Sequence, residues 1–440
     1  MPSKLSAMAQ APLVAQGALK TLEAISKKVS PLRKIHIPRD LDSVTTYDPE
    51  QEVPPESVGL TEKGVSAVWD RVRSLYRAGM HPAITLCIRK NGKVVLNRAI
   101  GHARGNGFED GPDAEKVPAT PDTLICWFSA SKAITAMCIH LLAQQCKLHL
   151  QDPVAFYIPE FAKKGKKNVT IHQVLCHRGG FPMFPPKVNK ETLFDYDAVV
   201  DILCQARHYS PLRRAAAYHA ISGGFILGEI VKRITGKDIR EYLEESFSKP
   251  LGLSTFTYGV PEKDRHRVAT NSYTGFPVTF PATPFVRRAL TVDWDEVVNV
   301  SNDARFYNAI VPAGNLFSTA DEMCRYFQML LNGGELDGVR IFEPLTVRRA
   351  VTEAYPREID RILMLPIPYG AGMILGMDPA GLYGFYCGEA YGHAGFLNCL
   401  CWADPRKNIS VALQNTGKVL LGPHLPALFR LVASISWNCS

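Results

Sequence analysis

The segment "AITLCIRKNGKVVLNRAIG", residues 83–101, places two apolar, β-rich runs on either side of Asn91-Gly92. An Asn-Gly pair in this setting predicts a tight hairpin, because both residues tolerate the positive φ that the favoured two-residue turn requires. Two more strands are predicted far downstream, "FLNCLCWAD" at 396–404 and "ISVALQN" at 409–415, joined by a turn at 405–408. Helical periodicity occupies much of the chain around and between them. Thr61 opens "TEKGVSAVWDRVRSLYRAG", which Gly79 closes. Thr170-x-x-Gln173 and Thr319-x-x-Glu322 have the form of helix-start boxes. "SGGFILGEIVKRITG" and "IREYLEESF" predict two helices with a turn at Gly236, and "LPALFRLVASIS" a last one. Strands near both ends of the chain with helices between them imply an α/β (α+β) fold. One antiparallel sheet, flanked by helices, takes strands from both ends and carries a mainly helical insertion. The expected division is an N-terminal arm over 1–57, a discontinuous sheet domain over 58–145 and 305–440, and an inserted domain over 146–304. The active site would lie at their interface. Residues 255–310 read as loop-rich, and residues 30–57 as an extended arm or linker.

Composition narrows the partners. The net charge of +8 over 440 residues is mild, and the basic residues are scattered. The one dense run, "KKGKK" at 163–167, reads as a solvated loop, and no basic stripe is interleaved with aromatics, so nucleic acid is not an expected partner. The eleven cysteines are irregularly spaced, with no Cys-x-x-Cys, and many fall inside apolar runs. They read as buried reduced thiols, which points to a reducing, cytoplasmic setting. Cys399 and Cys401 are two apart, which suits one face of a strand. No run is apolar for long enough to span a bilayer, and the N-terminus lacks a secretory h-region. Residues 12–29 could form a basic amphipathic helix with Leu22, Ile25 and Val29 on one side. Its apolar face would meet the protein's own surface or make weak contact with a membrane surface.

Chemistry concentrates in "WFSASKAITAMCIHLLAQQ", residues 127–145. Residues three apart share a helix face, whereas neighbours point about 100° apart. Ser129 can therefore reach Lys132, and Ser131 cannot. Burial among apolar walls such as Trp127 and Phe128 would lower the lysine's pKa toward the neutral amine that can take a serine proton. The spacing alone is weak, since Ser246 and Lys249 repeat it. There Pro250 follows at once and the helix ends, so that copy reads as incidental.

The surroundings add what spacing does not. "LICWFSASKAITAMCIHLLAQQCKLHLQDPVAFYIPEF", "VTIHQVLCHRGGFP", "YHAISGGFILGEIVKRITGKDIREYLEESFSKPLGL" and "PAGNLFSTADEMCRYFQMLLNGGELDG" together resemble the serine β-lactamase and penicillin-binding-protein superfamily. The resemblance spans roughly residues 58–416 and is greatest to family VIII carboxylesterases and the related lovastatin-type acyltransferases. It implies a β-lactamase-like fold with no metal or organic cofactor. It also implies that Ser129 is the nucleophile, Lys132 its base, and Tyr218, opening "YHAISGG", a proton relay. Many members carry a polar residue, often Asn, two positions after this tyrosine; here it is Ala220. Of two His-x-Gly copies, His393-Ala394-Gly395 matches the family's third motif, and the amides of Phe396 and Ser129 would form the oxyanion hole. His177, in the other copy, reads as a loop-packing residue. Trp127 joins the expected substrate-binding set, and the loop "GGFPMFPP" would present Phe181, Met183 and Phe184 as an apolar wall for an uncharged acyl chain. The implied activity is hydrolysis of a small-molecule carboxylic ester through an acyl-enzyme. The alternatives are acyl transfer to a small acceptor, β-lactam or D-amino-acid peptide hydrolysis, and a non-catalytic binding role.

Overall fold

The computed structural model describes residues 32–184, 191–209, 215–290, 292–396 and 398–440. The helix expected over 12–29 lies outside them. Strands β1 (Thr45–Tyr47), β2 (Ala83–Lys90), β3 (Lys93–Arg104), β4 (Ile374–Leu375), β5 (Tyr391–Gly395), β6 (Cys399–Asp404) and β7 (Ile409–Asn415) form one antiparallel sheet in the order β1-β3-β2-β7-β6-β5-β4, with Val117–Pro118 added to β3. The hairpin β2–β3 turns at Asn91 (φ 52°) and Gly92 (φ 78°), the double positive φ its sequence called for. β7 pairs with β2, so the two ends of the chain meet at the centre of the sheet.

Helices cover both faces. Helix α1 (Glu62–Arg77), capped by Thr61, packs with the last helix, while α2 (Ser131–Gln144), α3 (Ser222–Thr235) and α4 (Ala320–Leu331) belong to the larger core. Helix α5 (His424–Asn438) completes the α1 side. The strands alternate between the two cores. Ile84, Leu86, Ile88, Leu400, Trp402, Val411 and Leu413 enter the α1–α5 core, whereas Cys87, Cys399, Cys401, Ala403 and Ala412 enter the other. Small side chains on that second face let α4 lie close to the sheet, where the Cys324 thiol donates to the Ser410 carbonyl at 3.1 Å. The cysteine pattern is thus a packing pattern. Ten of the eleven cysteines are buried and all are free.

Four sequence expectations need correction. The arm over 30–57 contributes β1 to the sheet edge, and Glu52 takes hydrogen bonds from Arg98 at 2.9 and 2.6 Å. The loop-rich stretch contains helices Ala282–Leu290, Trp294–Ser301 and Ala304–Asn308. Each is too short to show a sustained period, and the first two are held by a small core of Tyr273, Val286, Trp294 and Val298. In "KKGKK", Lys163, Lys164 and Lys167 are exposed, but Lys166 is fully buried and donates to the carbonyls of Lys163 and Cys204, both at 3.0 Å. The strand expected over 396–404 starts only at Cys399, because Phe396 has φ 47° and lies in the turn from β5.

Segment 146–304 adds nothing to the large sheet among the described residues, yet it is stitched to both flanks. Thr257–Tyr258 pairs with Leu316–Ser318, which also pairs with Ile125–Cys126. Ser272–Tyr273 runs parallel to Gly417–Lys418. These short ladders fix the loops around the start of α2.

Candidate active site

Ser129 sits in a single 3-10 turn, Phe128–Ala130, immediately before α2. Phe128 has φ 46°, a left-handed conformation that non-glycine residues rarely adopt and that turns the chain sharply into the helix. Ser131, one position beyond this turn, is fully buried: its hydroxyl donates to the Phe128 carbonyl at 2.5 Å and accepts from the Leu316 amide at 3.0 Å. The two serines are therefore distinguished by geometry: Ser131 ties the turn together, and half-buried Ser129 faces a cavity.

Lys132 Nζ lies 3.1 Å from Ser129 Oγ and donates to the Ala313 carbonyl at 3.0 Å. Burial drives its pKa well below the ordinary lysine value. Gly224 on α3 makes the carbonyl contact feasible, because a Cβ there would fall 2.6 Å from the Ala313 amide nitrogen. Tyr218 lies beside Ser129, and its ring centroid is 4.9 Å from Lys132 Nζ. Burial raises the phenol's pKa, so it stays protonated. The site thus presents a serine between an amine held toward neutrality and a phenol able to give a proton.

Sequence reasoning missed what holds Tyr218. Buried Asp360 accepts from the Tyr218 amide at 3.2 Å, the Ile362 and Leu363 amides at 2.8 and 2.9 Å, and the Tyr369 hydroxyl at 3.0 Å. No local motif marks this residue, because the partner that matters to the site, Tyr218, lies 142 residues away in the sequence. His177 packs its ring on Tyr218 at 4.7 Å, and its Nδ1 accepts from the His219 amide at 3.1 Å. Its packing role is specific: it supports the segment carrying Tyr218.

The third-motif stretch lies on β5, at the start of α2. Gly395 is required there, since a Cβ would come 2.0 Å from the Trp127 carbonyl oxygen. Phe396 follows, with its ring 5.0 Å from that of Phe128. His393 is buried, with its pKa lowered to about 3 by burial and then by Lys132, and Nδ1 lies 2.8 Å from the Ala394 carbonyl. His219 is lowered to about 3 and His177 well below its usual value, first by burial in each case. These imidazoles are neutral at physiological pH.

Ser129 opens into a cavity of about 110 Å³. Of the four residues expected at the substrate wall, Phe184 lines it. Trp127 does not: it is fully buried, with Nε1 donating to Ser318 Oγ at 2.8 Å. Phe181 packs in the core against Phe161 and His219, and Met183 is partly exposed away from the cavity. The apolar wall is built instead by Ile221, Leu290, Val297, Val300 and Phe396, with Ala220 beside Ser129. Three of these come from the stretch that sequence reading left as loop. Among the described residues, no group of three or more His, Cys, Asp or Glu side chains is arranged to hold a metal ion, and no helix is long and apolar enough to cross a membrane.

The chain is 27% identical over 308 residues to "Esterase/beta-lactamase LipL" of Mycobacterium tuberculosis, covering 68% of this chain and 70% of that protein. It superposes on a penicillin-binding-protein homologue from Caulobacter crescentus with a TM-score of 0.75 at 28% identity, covering 86% of this chain and 99% of the other. A family VIII carboxylesterase shares the fold, with a TM-score of 0.72 at 24% identity and coverage of 87% and 99%. The family described as Beta-lactamase matches residues 72–424, a span that contains the serine turn, the buried lysine, the tyrosine and the β5 glycine, and the chain belongs to that family.

Proposed function

We propose that this protein hydrolyses neutral carboxylic esters through a covalent acyl-enzyme on Ser129. The observation that carries the reading is the buried, uncharged-leaning Lys132 at 3.1 Å from the Oγ of Ser129, which itself lines an apolar cavity. Neutral Lys132 accepts the hydroxyl proton as Ser129 Oγ attacks the ester carbonyl. The tetrahedral oxyanion is held by the amides of Ser129 and Phe396. Tyr218 passes a proton to the departing alkoxide and is resupplied from Lys132, and water repeats the sequence in reverse to release the acid. The cavity wall suits an uncharged acyl chain. Neutral His393 offers no cation for a substrate carboxylate of the kind penicillins carry.

The test is turnover of a p-nitrophenyl ester against nitrocefin, with intact-protein mass spectrometry to capture the acyl adduct. Ester turnover should far exceed lactam turnover. Ser129→Ala should lose both turnover and adduct, while Ser131→Ala keeps most turnover but melts lower, since it strands the buried Leu316 amide at a cost of about 1–3 kcal/mol. Equal loss of chemistry in both, or a preference for the lactam, would refute the reading. Adding an alcohol acceptor distinguishes hydrolysis, which releases mainly free acid, from acyl transfer.

A further inference from the structure

The cavity beside Ser129 has one charged lining residue among those described, Glu296, set among Leu290, Val292, Val297 and Val300. It stands on the helix Trp294–Ser301. That helix is anchored to the catalytic turns: the Trp294 ring packs on Phe396 at 4.3 Å, and its Nε1 donates to the Lys418 carbonyl at 3.1 Å. The anchor fixes Glu296 relative to the residue that follows Gly395. Glu296 is half-buried and forms no ion pair among the described residues. A carboxylate in apolar surroundings is poorly screened, so it acts strongly on any charge brought beside it.

We propose that Glu296 is a specificity-determining residue that rejects anionic acyl donors, so that the cavity admits neutral chains and excludes those ending in a carboxylate. This rests on the ester-hydrolase reading and adds a repulsive element to it. An apolar wall distinguishes chains weakly, by fit alone, whereas a like charge placed in the wall penalises the wrong substrate without touching the right one. Lys132 does not offset it, because that amine does not line the cavity and burial holds it toward its neutral form. The imidazoles of His177, His219 and His393 are buried, do not line the cavity and supply no positive charge.

The experiment compares kcat/KM for two six-carbon acyl donors, p-nitrophenyl hexanoate and mono-p-nitrophenyl adipate, which differ by a terminal carboxylate. Wild type should prefer the hexanoate by about 100-fold. Glu296→Gln, nearly isosteric, should raise the adipate-to-hexanoate ratio about tenfold or more, and Glu296→Lys should raise it further. A ratio unchanged within about twofold in Glu296→Gln overturns the assignment. Should the variants fold poorly, wild type decides: a hexanoate preference smaller than about twofold overturns the proposal. Hexanoate turnover with an unaltered ratio removes only the role of Glu296, whereas absence of Ser129-dependent hexanoate turnover removes the ester reading and this inference together.

Discussion

A lysine whose amine is buried without a countercharge costs the fold stability, and Lys132 is such a residue. Between its depressed pKa and the ordinary value of 10.5, the unfolded chain holds a proton that the folded chain lacks. Stability from this group therefore rises with pH across that window. Lys132→Met removes the burden and keeps the apolar stem, so it should melt higher than wild type at pH 7, and the gap should narrow toward pH 10. Turnover should fall about 10²-fold or more for loss of a general base. Wild-type activity should also rise with pH as the amine loses its proton and level off well below pH 10.5, the ordinary lysine value. Calorimetry and a pH–rate profile on both proteins check this. A variant that is both active and less stable at pH 7 would contradict the role. The same scale shows where the sequence was sufficient. Three-residue spacing singled out Ser129 over Ser131, because helix geometry is local. Exposure was not legible: Trp127 precedes the serine turn and Phe181 belongs to the "GGFPMFPP" loop, yet both are buried in the core.

At the scale of elements, the site depends on how closely β5 approaches the turn before α2. Gly395 sets that distance, since its missing Cβ is where the Trp127 carbonyl oxygen sits. Gly395→Ala should push β5 away, displace the Phe396 amide and lower kcat at least about tenfold, in keeping with loss of an oxyanion donor, while the far-UV circular dichroism stays near wild type. Unchanged kcat would separate β5 from the chemistry. β5 itself was hard to read: "YGHAG" has two glycines and little β propensity, and it forms a strand because β6 and β4 supply partners on either side. The hairpin at Asn91-Gly92 was legible because its determinant is the turn itself. The helix Trp294–Ser301 was not, because its determinants are Tyr273, Val286 and Phe396, which lie elsewhere in the chain.

Across the whole molecule, the central pairing of β2 with β7 joins segments from opposite ends of the chain. The cysteines report on that assembly. Cys87, Cys324, Cys399 and Cys401 meet only when β2, α4 and β6 are in place, and Cys146 alone is exposed. Ellman's reagent should titrate one thiol rapidly in the native protein and all eleven after denaturation. Several fast-reacting thiols at native pH would mean that the α4 face of the sheet opens readily.

The sequence by itself determined the elements whose causes are local. These include the hairpin, the capped helices at Thr61, Thr170 and Thr319, and the serine–lysine pair three residues apart. Its motifs, taken together, carried the family likeness. Tertiary structure alone decided what needs distant partners. It set Asp360 under Tyr218, turned Trp127 inward, buried Lys166, and brought the helix Trp294–Ser301 across the cavity so that Glu296 faces the space beside Ser129. The physical reason is that caps, turns and helical faces are fixed by residues a few positions apart. Burial, pKa and the shape of a pocket are fixed by whatever the rest of the chain brings alongside.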